Sequence, residues 1–220
     1  MKQVCKSTRF ERVMHAIFAP CFRVLLSVHA KGKENIPTDG SGYVICSNHV
    51  ALWDPIAISA VFPRRRMPRY LSKAELFKIP ILSTLLRALG AIPLERHGSD
   101  MKAIRRAIAL AKDGEFLTVF PQGTRRKGMN PADTPIKSGA AMIAAHAGVP
   151  ILPVCIRMKK QKYAFLRRVE VLIGKPISPE ELGLTKEDPD YRAAAERAFA
   201  EVLALGGFTP GGLLPGAKKA

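Results

Sequence analysis

The chain has 220 residues, 47% of them hydrophobic and 7% aromatic, with a formal net charge of +17. That apolar content excludes a disordered basic tail, and 17 Gly and 17 Pro scattered along the chain exclude collagen-like or low-complexity order. What is left is one globular domain, with at most a small appendage, that meets an anionic partner: nucleic acid, a phosphorylated substrate or a lipid surface.

The first apolar pattern is helical. Phe10, Val13, Met14, Ile17, Phe18, Cys21, Phe22, Leu25 and Leu26 recur at i, i+3 and i+4, with Lys2, Lys6, Arg9, Arg12 and Arg23 around them. Pro20 predicts a kink or a break. Arg23 interrupts the apolar run and no clear small-residue cleavage site follows, so a signal peptide fits poorly. No run of 18 uncharged apolar residues is present to span a bilayer. Two readings stand: a helix packed on its own domain, or an amphipathic helix lying in a membrane interface.

Residues 41–47 (SGYVICS) then read as a short buried strand. Asp54-Pro55 predicts a helix to about Val61, with Asp54 as N-cap and Pro55 at the first helical position. A strand over 69–72, a helix over 79–89 stopped by Gly90, and a strand over 91–94 follow. Next come a helix from Ser99 or Asp100 to 112, closed near Gly114, and a strand over 116–120 (FLTVF). A small-residue helix over 138–147 ends at Gly148, followed by strands over 149–156 and 169–173. Residues 178–181 (SPEE) form a capping-box helix start, and a last helix covers 189–205.

Short apolar strands alternating with helices predict an α/β domain over residues 34–205, its mixed, largely parallel sheet buried between helices. Residues 1–33 are expected to be an amphipathic, membrane-associated helical segment, and residues 206–220 a flexible Gly/Pro-rich tail. Cys5, Cys21, Cys46 and Cys155 lie far apart with no Cys/His cluster, so no metal site is expected. Cys46 and Cys155 sit in apolar runs and read as small buried hydrophobes.

Polar groups interrupt two strand–helix junctions, the places where α/β folds gather function. After the strand ending at Ser47, a turn can fold Asp54 back beside His49. The carboxylate then fixes one imidazole nitrogen and leaves the other free as a base. The bland reading is a helix cap beside an incidental loop histidine. No G-x-S-x-G elbow is present, so a dyad activating a substrate hydroxyl fits better than an acyl-enzyme. The second junction is residues 119–128 (VFPQGTRRKG). Gly123 permits a tight turn, and Arg125 can grip a phosphate through two parallel hydrogen bonds. A solvated basic loop or a nucleic-acid contact are its bland readings.

Asn48-His49 with Asp54 resembles the N-H-x-x-x-x-D signature of the glycerolipid acyltransferases, the 1-acylglycerol-3-phosphate acyltransferase family. Residues 120–125 (FPQGTR) are similar to that family's F-P-E-G-T-R block, with Gln122 in place of Glu. Residues 90–96 (GAIPLER) resemble its arginine-bearing second block, and residues 148–154 (GVPILPV) its proline-containing fourth. Lys73 in LSKAELF resembles a lysine before the family's K-x-E-L-F segment. Four blocks in order over about residues 40–175 are specific, where each alone is weak.

The resemblance implies a transfer of a fatty acyl group from acyl-CoA or acyl-carrier protein to the free sn-2 hydroxyl of lysophosphatidic acid, giving phosphatidic acid. His49 is then the general base and Asp54 orients it. Lys73, Arg96 and Arg125 hold the acceptor phosphate, and Gln122, Gly123 and Thr124 complete the substrate-binding loop, Gly123 and Thr124 shaping it. No cofactor beyond the acyl co-substrate and no metal is implied. Pro93-Leu94-Glu95 departs from the usual residues before the second-block arginine. Gln122 keeps the size and acceptor of Glu but not its charge. Little changes if the Glu acts by hydrogen bonding; acceptor preference changes if its charge orders the arginines. Rival acceptors are glycerol 3-phosphate and lyso-ornithine lipid, and the rival class is a non-catalytic basic module that binds lipid or nucleic acid.

The remaining charge is clustered at the N-terminus, at Arg64-Arg65-Arg66, and at Arg157, Lys159, Lys160, Lys162, Arg167 and Arg168, interleaved with Tyr163, Phe165 and Leu166. No nucleic-acid fold signature accompanies these clusters. Anionic lipid attracts them and also explains the apolar stripe, so the expected site of action is the cytoplasmic face of a membrane, with nucleic acid the weaker partner.

Overall fold

The computed structural model describes residues 9–94, 100–164 and 167–216. Its seven strands are β1 (Val28–Lys31), β2 (Tyr43–Ser47), β3 (Pro68–Lys73), β4 (Ala91–Leu94), β5 (Phe116–Val119), β6 (Ile151–Met158) and β7 (Val169–Ile173). The described helices are α1 (Arg9–Leu25), α2 (Asp54–Ser59), α3 (Pro80–Ala88), α4 (Asp100–Lys112), α5 (Gly139–Ala147) and α6 (Tyr191–Gly206). The strands form one sheet in the order β1-β7-β6-β2-β5-β3-β4. All neighbours are parallel except β6 and β7.

Every residue of β2 is buried because the strand is central and covered on both faces. Tyr43 and Ile45 join Phe116, Leu152 and Val154 in a core closed by Ala57 and Ile58 of α2. Val44 and Cys46 point the other way, against Leu110 of α4, Ala141 of α5 and Phe199 of α6. Burial pushes the Cys46 thiol up to about 12, and Cys155 also upward, so both pack as inert hydrophobes.

Strands β6, β2 and β5 are adjacent and parallel. The three loops that leave their carboxyl ends therefore emerge at one edge of the sheet. They carry residues 159–168, residues 48–53 and residues 120–130.

Four expectations are corrected. The sheet begins at β1, inside the segment assigned to the N-terminal helix. Four residues carry no strand pattern of their own; pairing with β7, Val28 opposite Val169, makes them a strand. Asp54 is not an N-cap: Trp53 holds that position without a side-chain cap, and the Asp54 carboxylate is turned back into the preceding loop. The capping-box bonds at 178–181 form, Ser178 N–H to Glu181 and Glu181 N–H to Ser178 Oγ, but no helix grows from them. The chain turns left-handed at Gly183 (φ 70°) and closes after one turn.

Residues 207–216 are not a free tail. Phe208 is buried, and Asn130 Nδ2 donates to the carbonyls of Thr209 and Gly212. The Lys160 N–H donates to Pro215 O. Partners far away in sequence, 79 and 82 residues for the two Asn130 bonds, hold a segment that looks flexible by composition.

Helix α1 runs through Pro20 without a break and packs against α2, α3 and β1. His15 and Ala19 are buried, and His15 Nε2 donates to Ser59 O at 2.9 Å. The stripe is split: Val13, Ile17 and Leu25 remain exposed, as does Val24 outside it. No helix among the described residues is long and apolar enough to cross a membrane. Cys5, Lys2, Lys6, Arg96, Ser99, Phe165 and Leu166 lie outside the described residues.

Candidate active site

Asn48 decides where the chain leaves β2. Its Nδ2 donates to Ile156 O and its Oδ1 accepts from Ile156 N–H, both at 2.8 Å. The fully buried amide thus substitutes for a backbone pair with β6 and fixes the start of the next loop.

That loop closes around Asp54. The Oδ2 atom accepts from His49 Nδ1 at 2.7 Å, from Val50 N–H at 2.5 Å and from Ala51 N–H at 2.8 Å. The Oδ1 atom accepts from the Tyr163 hydroxyl at 2.9 Å. Asp54 has no solvent-exposed surface, and four donors meet its lone pairs. A carboxylate only accepts, so Nδ1 of His49 carries the proton and Nε2 is the basic nitrogen. The imidazole stacks on the Phe120 ring, centroids 4.1 Å apart and planes 17° from parallel. Its side chain keeps 17% exposure and borders a cavity of about 280 Å³. Beyond His49, Phe120 and Gly123 that cavity is lined by apolar Leu71, Ile104, Leu117 and Ile143.

The loop after β5 is fastened to the same histidine. Arg126 N–H donates to His49 O at 2.8 Å, and His49 N–H donates to Gln122 Oε1 at 2.6 Å. Gly123 (φ 66°) takes the left-handed conformation that closes this turn, its N–H on Phe120 O. Thr124 and Arg125 are exposed beside it. The Lys137 side chain lies against Gly123, where an added Cβ would meet its Cε at 3.4 Å.

The structure therefore brings together His49, Asp54, Gln122, Gly123, Thr124 and Arg125. Lys73 ends β3 at the same sheet edge, one strand beyond β5. The substrate-facing position expected of Gln122 is corrected. It is 4% exposed, spent on His49 N–H and on Thr134 Oγ1, because a buried amide and a buried N–H both need partners. Sequence reasoning missed Phe120, Lys137 and Tyr163 as parts of the site. Tyr163 stood inside a basic cluster and read as surface; only the return of the loop after β6 brings it to Asp54.

Among the described residues no group of three His, Cys, Asp or Glu side chains is placed to hold a metal ion. Trp53 and Leu52, on the dyad loop, are 41% and 65% exposed.

The family described as "Acyltransferase" matches residues 27–157. Among curated proteins, the 1-acyl-sn-glycerol-3-phosphate acyltransferase of Bacillus subtilis (strain 168) is 30% identical over 171 residues, 74% of this chain and 82% of that protein. The protein of the same description from Streptococcus pneumoniae is 30% identical over 155 residues, 69% of this chain and 56% of its own length. Among solved structures, the 1-acyl-sn-glycerophosphate acyltransferase PlsC of Thermotoga maritima superposes with a TM-score of 0.63 at 27% identity, over 89% of this chain and 79% of that one. The matched family segment runs from the residue before β1 almost to the end of β6 and contains the dyad and the loop after β5. The chain belongs to the acyltransferase family.

Proposed function

We propose that this enzyme moves a fatty acyl group from a thioester donor, acyl-CoA or acyl-carrier protein, to the free sn-2 hydroxyl of lysophosphatidic acid, forming phosphatidic acid. The observation that carries this reading is the His49 Nδ1–Asp54 bond, which leaves Nε2 as a base beside an apolar cavity. The names of the relatives support the acceptor.

Nε2 takes the proton of the acceptor hydroxyl as its oxygen attacks the thioester carbonyl. The new C–O bond forms, the C–S bond breaks, and the thiolate leaving group recovers the proton from the imidazolium. Asp54 stabilises that imidazolium and holds the ring. Arg125 and Lys137 hold the acceptor phosphate, joined by Lys73 and Arg96. The apolar cavity takes hydrocarbon. The acyl donor is the one co-substrate, and no cofactor is invoked.

The acceptor is a lipid, so the enzyme works at a membrane surface, on its cytoplasmic face. Exposed Val13 of α1 lies beside Arg9, Arg12, Arg64 and Arg65, and exposed Val24 beside Arg23; with exposed Ile17 and Leu25 they suit an anionic interface. Leu52 and Trp53 offer apolar surface at the dyad loop itself.

The test is the purified enzyme with lysophosphatidic acid, glycerol 3-phosphate and lyso-ornithine lipid as acceptors and both donor types, with products followed by mass. Phosphatidic acid from lysophosphatidic acid at the highest kcat/KM is the expected result. Preference for another acceptor overturns the substrate, and no product with any acceptor overturns the chemistry.

A further inference from the structure

We infer that Tyr163 is a positioning residue for the His49–Asp54 pair, supplied by the basic loop after β6. The inference rests on the dyad reading above and adds a component to it.

Three donors, from His49, Val50 and Ala51, all converge on one Asp54 oxygen, Oδ2. They leave the second oxygen unheld inside a group with no exposed surface. The Tyr163 hydroxyl is the donor on Oδ1, at 2.9 Å and 109 residues away in sequence. It completes the hydrogen bonding of the buried carboxylate and stops rotation about the Cβ–Cγ bond. That rotation is the motion that would tilt the His49 imidazole off the line to its substrate. Burial first, then the neighbouring Asp54 charge, push the Tyr163 phenol well above its ordinary value, so it remains a donor wherever the enzyme works.

The chain goes to some expense to deliver this hydroxyl. Lys160 and Gln161 both sit at left-handed φ, 53° and 44°, in a conformation that side chains disfavour. Gln161 is fully buried and holds the turn: its Oε1 accepts from Met158 N–H and its Nε2 donates to Ile156 O. Its carbonyl accepts from Gly128 N–H at 2.8 Å, in the loop after β5. Lys162 packs on the same Gly128. The turn thus braces Tyr163 against the loop that carries Arg125, and a strained backbone held by buried bonds is what a site component requires.

Tyr163→Phe keeps the ring and removes the donor. The expected result is a fall in kcat of about 10- to 100-fold with the KM of acceptor and donor within about twofold. The thermal midpoint should fall, because the buried Oδ1 loses its donor, and the downfield proton resonance of His49 Nδ1–H should move or broaden. If Tyr163→Phe does not fold, 3,5-difluorotyrosine at 163, which retains ring and hydroxyl, must shift the same resonance. His49→Ala is run beside it. Turnover retained in His49→Ala overturns the dyad reading and this inference with it. Turnover lost in His49→Ala, with kcat and resonance unchanged at position 163, overturns the role of Tyr163 alone.

Discussion

The backbone N–H of His49 donates to Gln122 Oε1 at 2.6 Å, and the other end of the same amide donates to Thr134 Oγ1 at 2.6 Å. Thr134 Oγ1 in turn donates to Pro131 O at 2.7 Å. The direction of every bond in this chain is fixed, because His49 N–H can only donate and Pro131 O can only accept. An amide, with one acceptor and one donor end, is the side chain that fits. Gln122→Glu makes the Thr134 hydroxyl turn toward the carboxylate and takes the hydroxyl donor from Pro131 O, which keeps only the 3.3 Å bond from Thr134 N–H. The expected loss is about 0.5–1.5 kcal/mol, read as a lower denaturant midpoint at unchanged m-value, with His49 still anchored and activity retained. An unchanged midpoint would show that the hydroxyl serves both partners.

The dyad makes its own prediction. His49→Ala removes the base and should lower kcat by about 10²- to 10⁴-fold. Asp54→Asn should be the less stable of the two variants, because it removes the charge on which three donors converge and sets its amide NH2 against the Tyr163 hydroxyl that donates to Oδ1. Thermal melts and steady-state rates on the same preparations check both; equal stability of the two would contradict the four-donor geometry.

Arg125 is exposed beside the Gly123 turn, and its removal leaves the fold intact. Arg125→Ala should raise KM for a phosphorylated acceptor about 10- to 100-fold with little change in KM for the donor. Titration of each substrate separately distinguishes the two. An unchanged acceptor KM removes the phosphate grip.

His15 gives α1 a pH dependence. Burial first holds its pKa below the ordinary 6.5, with nearby Arg64 adding to the depression and the bond to Ser59 O opposing it. The folded form therefore keeps His15 neutral. The stability gained is fully present above 6.5 and is lost as the pH falls toward the depressed folded value. Amides of α1 should exchange faster, relative to their intrinsic rates, at about pH 5.5 than at about pH 7.5. His15→Leu should abolish that difference, and an acid-insensitive wild type would refute it.

The membrane reading of α1 is tested by point substitution, since removing residues 1–30 would also take away most of β1. Ile17→Asp adds a charge at a side chain already 55% exposed, so the fold tolerates it. Sedimentation with anionic vesicles should show partition falling at least about tenfold, because one embedded Ile contributes roughly 1.5–3 kcal/mol. Unaltered partition would mean that another surface meets the lipid.

Much of the fold was legible because its signals are local. Residues 43–47, 91–94 and 169–173 are short apolar runs bounded by turn residues, and they are strands in the structure. The helix ends at Gly90, Gly114 and Gly148 follow from backbone chemistry that a single residue dictates. The misses share a cause: β1 is a strand only through β7, and the 207–216 segment is ordered only through Asn130, Asp133 and Lys160. At 178–181 local chemistry formed its capping bonds and a glycine two residues later overrode the helix.

By itself, the sequence determined the α/β class from its alternating strands and helices; spacing and strand-end position marked His49, Asp54 and the loop of Arg125 only as candidates, and the resemblance of four ordered motif blocks to one family singled them out. The tertiary structure alone decided the tautomer and the frame of the site. Asn48 is pinned to β6, His49 is stacked on Phe120 and held by Gln122, and Asp54 is met by Tyr163. Those contacts join residues from three strands that are neighbours in the sheet and far apart in the chain. A buried donor or acceptor must be matched by whatever the fold brings beside it, and no local pattern says what that will be.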